Sequence, residues 1–130
     1  MRVYLAGAMH QSRDPSSWRD AFTTSVKPLG WEVVNPIKLE LNLMDPMIIV
    51  RTDLGELLKC DALLARCHEP SWGTPMEVMF AFLHRVPVVT WVPCLDDPVS
   101  PWLIYHSHAF VETEMQAIVA LSKIQEQTGE

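Results

Sequence analysis

A chain of 130 residues, 48% hydrophobic and 20% charged, has room for one domain with its own core and does not have the composition of a disordered segment. Its formal charge of −6 and ten scattered Lys and Arg exclude a general duplex-binding surface and make a nucleic acid polymer an unexpected partner, while a small anion needs only a few local donors. Three cysteines without paired spacing argue for reduced thiols in the cytoplasm, and no apolar run approaches the roughly 20 residues of a membrane span.

The opening "MRVYLAGAMH" is too short in its apolar part for a signal peptide. Its apolar run at 3–6, ended by Gly7, predicts a buried strand. Asp14-Pro15 then marks a helix start, with a capping side chain ahead of a proline at the first helical position. "WEVV" at 31–34, after Gly30, predicts the next strand, and Asp45-Pro46 a helix reaching Lys59.

On that helix Ile49, Val50 and Leu57 project within roughly 60° of Asp53, which puts a carboxylate into the apolar stripe. Either a salt bridge or a solvent edge accommodates Asp53, or it lines a pocket.

"DALLA" at 61–65 is a third strand. Thr74-Pro75 marks the following helix, in which Glu77 is the last polar side chain before 78–83. Glu77 admits two roles. Three residues after Thr74 it fits a capping box, which would only satisfy a backbone N–H. Alternatively, it is a carboxylate in the first turn, kept ionised by the helix dipole and aimed into a pocket as a nucleophile.

"VPVVTWV" at 86–92 predicts a fourth strand, Ser100-Pro101 a further helix start, and 109–111 a short fifth strand. A helical pattern follows, with 125–130 as a fraying tail. The alternation implies one α/β domain, a flavodoxin/Rossmann-like three-layer sandwich with a roughly five-stranded parallel sheet and helices on both faces. Ligands then belong at the carboxyl ends of the strands, beside Gly7, Ser71, Gly73 and Ser100.

Four segments in this order resemble the nucleoside 2-deoxyribosyltransferase superfamily, closest in motif to its 2'-deoxynucleoside 5'-monophosphate N-hydrolases: "VYLAGAM", "RTDLGELLKCDALLA", "PSWGTPMEVMFAF" and "SPWLIYHSHA". The resemblance implies a domain over 1–130, usually dimeric, that cleaves the N-glycosidic bond of a deoxynucleoside or deoxynucleotide without a cofactor. It makes Glu77 the nucleophile, Asp53 the group that meets the base or helps it depart, and Tyr4 and Gly7 the strand-end positions flanking sugar and base. Ser71 matches a serine contacting the 5'-phosphate, and Ser100 a second one supplied by the neighbouring subunit.

A loop residue at Ser71 and a plain N-cap at Ser100 account for the same serines without a ligand. Arg13, Arg19 and His10 are either phosphate contacts or solvated surface charges. Trp72, between Ser71 and Gly73, is the tryptophan placed to stack on a base; the others suit a core or interface. His106 and His108 lack an identifiable third metal ligand, so structural or rim roles are expected of them and no metal.

The asparagine-containing segment that completes the sugar site of the transferases is not found here. That favours water as acceptor over a second base, with the transferase as alternative. A non-catalytic nucleotide-binding module is the alternative of another class.

Overall fold

The computed structural model describes residues 1–9, 12–39, 45–94 and 98–128. In chain order it contains β1 (Arg2–Gly7), α1 (Ser17–Val26), β2 (Glu32–Val34), α2 (Pro36–Leu39), α3 (Pro46–Leu58), β3 (Ala62–Arg66), α4 (Gly73–Leu83), β4 (Val88–Trp91), α5 (Pro101–Tyr105), β5 (Ala109–Val111) and α6 (Glu114–Gln127). All strand pairs are parallel and the sheet order is β2-β1-β3-β4-β5.

The period-2 alternation of each strand divides the core between two faces. Val3, Leu5, Ala62, Leu64, Val89 and Trp91 point to one side, where Trp18, Phe22 and Val26 of α1 and Ala117, Leu121 and Ile124 of α6 cover them. Tyr4, Ala6, Leu63, Ala65 and Val88 point to the other, covered by Leu57 of α3 and Val78 and Ala81 of α4. This is the three-layer sandwich expected from the alternating elements.

Two of the four capping residue–proline starts are seen as such. Asp45 Oδ1 accepts from the backbone N–H of Met47 and Ile48, and Ser100 Oγ from that of Trp102. At the first, Asp14 Oδ1 accepts from Ser17 N at 3.1 Å, although the helix itself begins only at Ser17.

The fourth differs. Helix α4 begins at Gly73, and Ser71 Oγ accepts from both Thr74 N (3.3 Å) and Thr74 Oγ1 (3.0 Å). Thr74 is therefore the capped residue and not the cap. Helix α6 runs to Gln127, through residues expected to fray.

Sequential strands β1 and β2 lie on one side of the sheet's turning point and β3 to β5 on the other. The crevice of such a sheet opens where the order reverses, between the ends of β1 and β3. Gly7 and Arg66 are register partners at that point.

Candidate active site

Tyr4 stands in the middle of β1 with no exposed surface, its ring on the α3/α4 side of the sheet. Helix α3 packs against α4, and each brings one carboxylate towards the phenol: Asp53 from α3 and Glu77 from α4. Asp53 is half-buried and shares the inward face with fully buried Leu57 and half-buried Ile49, whereas Val50 is exposed. The carboxylate does lie in the inward stripe, but Val50 does not share it.

The displaced start of α4 removes Glu77 from the capping box. As the fifth helical residue it lies beyond the first turn, where the free N–H groups and most of the dipole's effect are found. Some surface of the residue remains accessible, yet its Oε2 is fully enclosed without a well-formed hydrogen bond.

Burial pushes the Glu77 carboxyl up to about 7; Tyr4 as hydrogen-bond donor pulls it down, the charge of Asp53 pushes it up, and Arg19 pulls it down. Ionisation by the helix start, expected from the sequence, is thus outweighed by dehydration. Burial likewise holds the Tyr4 phenol far above its ordinary range, with the charges of Glu77 and Asp53 adding to it. The phenol stays protonated as a donor. Tyr4 and Glu77 influence each other as donor and acceptor, although neither the phenol oxygen nor Oε2 meets full hydrogen-bond geometry.

The other candidates divide. Arg19 is completely buried and not a solvated charge: its Nη1 donates to Pro15 O (2.7 Å) and its Nη2 to Gly7 O (3.0 Å), and the guanidinium lies 4.6 Å above the Trp18 ring. It fixes the loop after β1 and supplies charge near Glu77. Gly7 has a packing reason: a Cβ there would meet Trp18 Cζ2 at 2.8 Å and Arg19 Nη2 and the Arg66 carbonyl at 3.3 Å.

Gly73 is different, since a Cβ there would meet nothing within 4 Å. Trp72 beside it is 85% exposed. Ser71 and Ser100 both cap helices, so their oxygens accept backbone N–H groups while their own protons remain donors. Arg13 is exposed in the loop after β1, and His10 lies outside the described residues.

The histidines near the end have structural partners. His106 Nδ1 donates to Trp102 O and His108 Nδ1 accepts from Val88 N. Sequence inspection overlooked Arg66, His68 and Glu69, which surround the end of β3. A charged residue closing the buried run "DALLAR" was the available signal.

Two surface hollows, of about 740 and 400 Å³, line β5 against α6 and α5 and contain none of Tyr4, Asp53 and Glu77. Chemistry marks the site better than volume does: a dehydrated carboxylate, a second carboxylate and a protonated phenol meet beside the turning point of the sheet.

No family model matches the sequence. Over 104 residues it is 33% identical to a protein of Methanosarcina barkeri (strain Fusaro / DSM 804) assigned by inference as 2'-deoxynucleoside 5'-phosphate N-hydrolase 1. The match takes in 75% of this chain and 62% of that protein, so the chain spans about three-fifths of its relative's length. The fold is that of a 2-deoxyribosyltransferase from Bacillus psychrosaccharolyticus, with a TM-score of 0.75, 17% identity and 90% of each chain covered. It is also that of a conserved protein from Enterococcus faecalis V583, with a TM-score of 0.75, 16% identity and 98% of each chain covered.

Proposed function

We propose, on the premise that this chain is a relative of the nucleoside 2-deoxyribosyltransferase superfamily, that it hydrolyses the N-glycosidic bond of a 2'-deoxynucleoside 5'-monophosphate and releases the free base. The observation that carries this is the burial of Glu77 against Tyr4 and beside Asp53. An ionised, dehydrated carboxylate is a stronger nucleophile than a solvated one, and a carboxyl near 7 is ionised in about half the molecules at neutral pH.

In this mechanism a Glu77 carboxylate oxygen attacks C1'. The C1'–N bond breaks, its electron pair goes to the base, and Asp53 relays the proton that the departing base takes up. Water then cleaves the deoxyribosyl ester, regenerating the Glu77 carboxylate and freeing deoxyribose 5-phosphate. Tyr4 donates towards Glu77 and limits the rise of its pKa. Each step uses side chains of the protein and requires no cofactor.

Ser71 and Ser100 offer their hydroxyl protons to the 5'-phosphate, Ser100 from the partner subunit of a homodimer, Gly73 leaves room for it, and Trp72 and Gly7 border the base and sugar. Arg13, exposed near the same mouth, is a further phosphate contact, and Arg19 acts through its charge. The cytoplasm is the compartment proposed for this enzyme.

The test is chromatography of the base released from a panel of deoxynucleoside 5'-monophosphates and deoxynucleosides, with and without a second base, for wild type and Glu77→Gln. Release from monophosphates in water, abolished in the variant, supports the hydrolase. Base exchange among deoxynucleosides would make it a transferase. Nucleotide binding without release by wild type would make it a binding module.

A further inference from the structure

Arg66 closes β3 at the turning point of the sheet, and its side chain emerges on the α1 side. Its guanidinium carbon lies 4.8 Å above the Trp91 ring and 5.8 Å above the Trp18 ring, two indoles that meet edge to face at 6.0 Å. Trp18 also carries Arg19 at 4.6 Å, so two guanidinium groups share one indole.

Among the described residues Arg66 makes no side-chain hydrogen bond or ion pair, and its Nε is fully enclosed without an acceptor. Arg19 differs, its Nη atoms donating to the Gly7 and Pro15 carbonyls. The acid that acts electrostatically on Arg66 is Glu69. Glu69 Oε1, however, is engaged elsewhere, by Ser12 Oγ at 3.0 Å and His68 Nε2 at 3.2 Å.

Two guanidinium groups, those of Arg66 and Arg19, meet at this corner of an acidic chain. Burial holds the His68 imidazole below its usual range, and the charges of Arg66 and Arg19 lower it further. Arg66 is half-buried, and contact with the indoles leaves its enclosed Nε and the edge of the guanidinium, where its N–H groups point, without a protein acceptor.

We infer that Arg66 is the cationic centre of an oxyanion site at the carboxyl end of β3, and that the ligand it takes is a phosphate group. A phosphate matches the planar fork with two parallel acceptors and supplies the acceptor and the charge that Arg66 does not find among the described side chains. The phosphate belongs either to the substrate or to free phosphate. Only the first case rests on the hydrolase reading, in which Ser71 and Ser100 contribute hydroxyls and exposed Arg13 a charge.

Because the Arg66 guanidinium lies over the rings of Trp18 and Trp91, tryptophan fluorescence reports its occupancy. Inorganic phosphate is titrated against wild type, Arg66→Gln, Arg66→Lys and Glu69→Gln at fixed ionic strength, with near-ultraviolet circular dichroism as the folding control. Wild type should saturate, and Arg66→Gln should bind about tenfold or more weakly. Arg66→Lys should fall between them, and Glu69→Gln, which removes the neighbouring anion without disturbing the indoles, should bind more tightly.

KM then separates the sources. A rise in Arg66→Gln for the monophosphate alone assigns the substrate's phosphate; an unchanged KM with lost phosphate binding assigns free phosphate. The inference is overturned if wild type shows no saturable response, or if Arg66→Gln leaves that response unchanged. A chain that cleaves no nucleotide but still binds phosphate through Arg66 would fail the hydrolase reading and keep this one.

Discussion

Tyr4 and Glu77 are buried against each other so that the phenol, locked in its protonated form, lowers the pKa that dehydration has raised in the carboxylate. Replacing Tyr4 by Phe removes that donor and nothing else of comparable size. The Glu77 carboxyl should then titrate above about 7, and the acidic limb of the pH–rate profile should move to higher pH. At pH 7 turnover should fall about three- to tenfold, recovering as the pH is raised. Stability should change by less than about 1 kcal/mol, because the lost hydroxyl makes no well-formed hydrogen bond. An unmoved pH profile would dissociate Tyr4 from the nucleophile.

Glu77→Gln should show the same coupling through stability. The carboxyl titrates near 4.5 when unfolded and near 7 when folded, so between these values the folded state binds more protons. Its contribution is fully present below pH 4.5 and is lost as the pH rises through 7. The full difference is on the order of 3 kcal/mol, from a pKa difference of about 2.5 at about 1.4 kcal/mol for each unit. Relative to wild type, the variant should gain Tm on going from pH 4.5 to pH 8, as followed by thermal unfolding. A gap between the two proteins that does not change with pH would mean that the carboxyl is not dehydrated in the folded state.

The fold was legible because its signals are local. "DALLA" and "VPVVTWV" read as buried strands, and Asp45-Pro46 and Ser100-Pro101 as helix starts, from neighbouring residues alone. The start of α4 was misread for the same reason: Thr74-Pro75 has the local form of a cap, but Ser71, outside that motif, accepts the Thr74 N–H and moves Glu77 out of capping position. Asp53 could be placed on an inward face by helical period. The burial of Arg19 and the two indoles against Arg66 could not be read, because they join α1, β3 and β4 across long sequence separations.

Gly7→Ala tests that long-range packing. The new methyl would lie 2.8 Å from Trp18 Cζ2 and 3.3 Å from the Arg66 carbonyl, the latter fixed by pairing with β1 and β4. Overpacking of this kind costs about 1–3 kcal/mol, a fall in Tm of roughly 5–10 °C. Because Arg19 Nη2 is a further contact at 3.3 Å, the loop it anchors should loosen, which hydrogen exchange of residues following β1 would register. Wild-type Tm and exchange in Gly7→Ala would leave Gly7 without this packing role.

The apolar stripe on α4 provides the last prediction. Trp72, Met76, Met79 and Leu83 recur at intervals of four, three and four residues and are 85%, 68%, 44% and 63% exposed. They form one ridge along the helix, and exposed Trp102 and Tyr105 of α5 add to the apolar surface. A ridge of this kind suits the self-complementary surface of a twofold dimer, so Met79→Glu with Leu83→Glu should shift sedimentation to that of a monomer. Activity should fall with it if Ser100 serves the partner's site. Mixing Glu77→Gln chains with Ser100→Ala chains distinguishes this from simple destabilisation. Each mixed dimer would contain one site with both Glu77 and a partner Ser100 and one site with neither, so random reassociation should restore about a quarter of wild-type activity per chain. Activity no higher than the average of the two separate variants would mean that Ser100 acts within its own subunit or only caps α5.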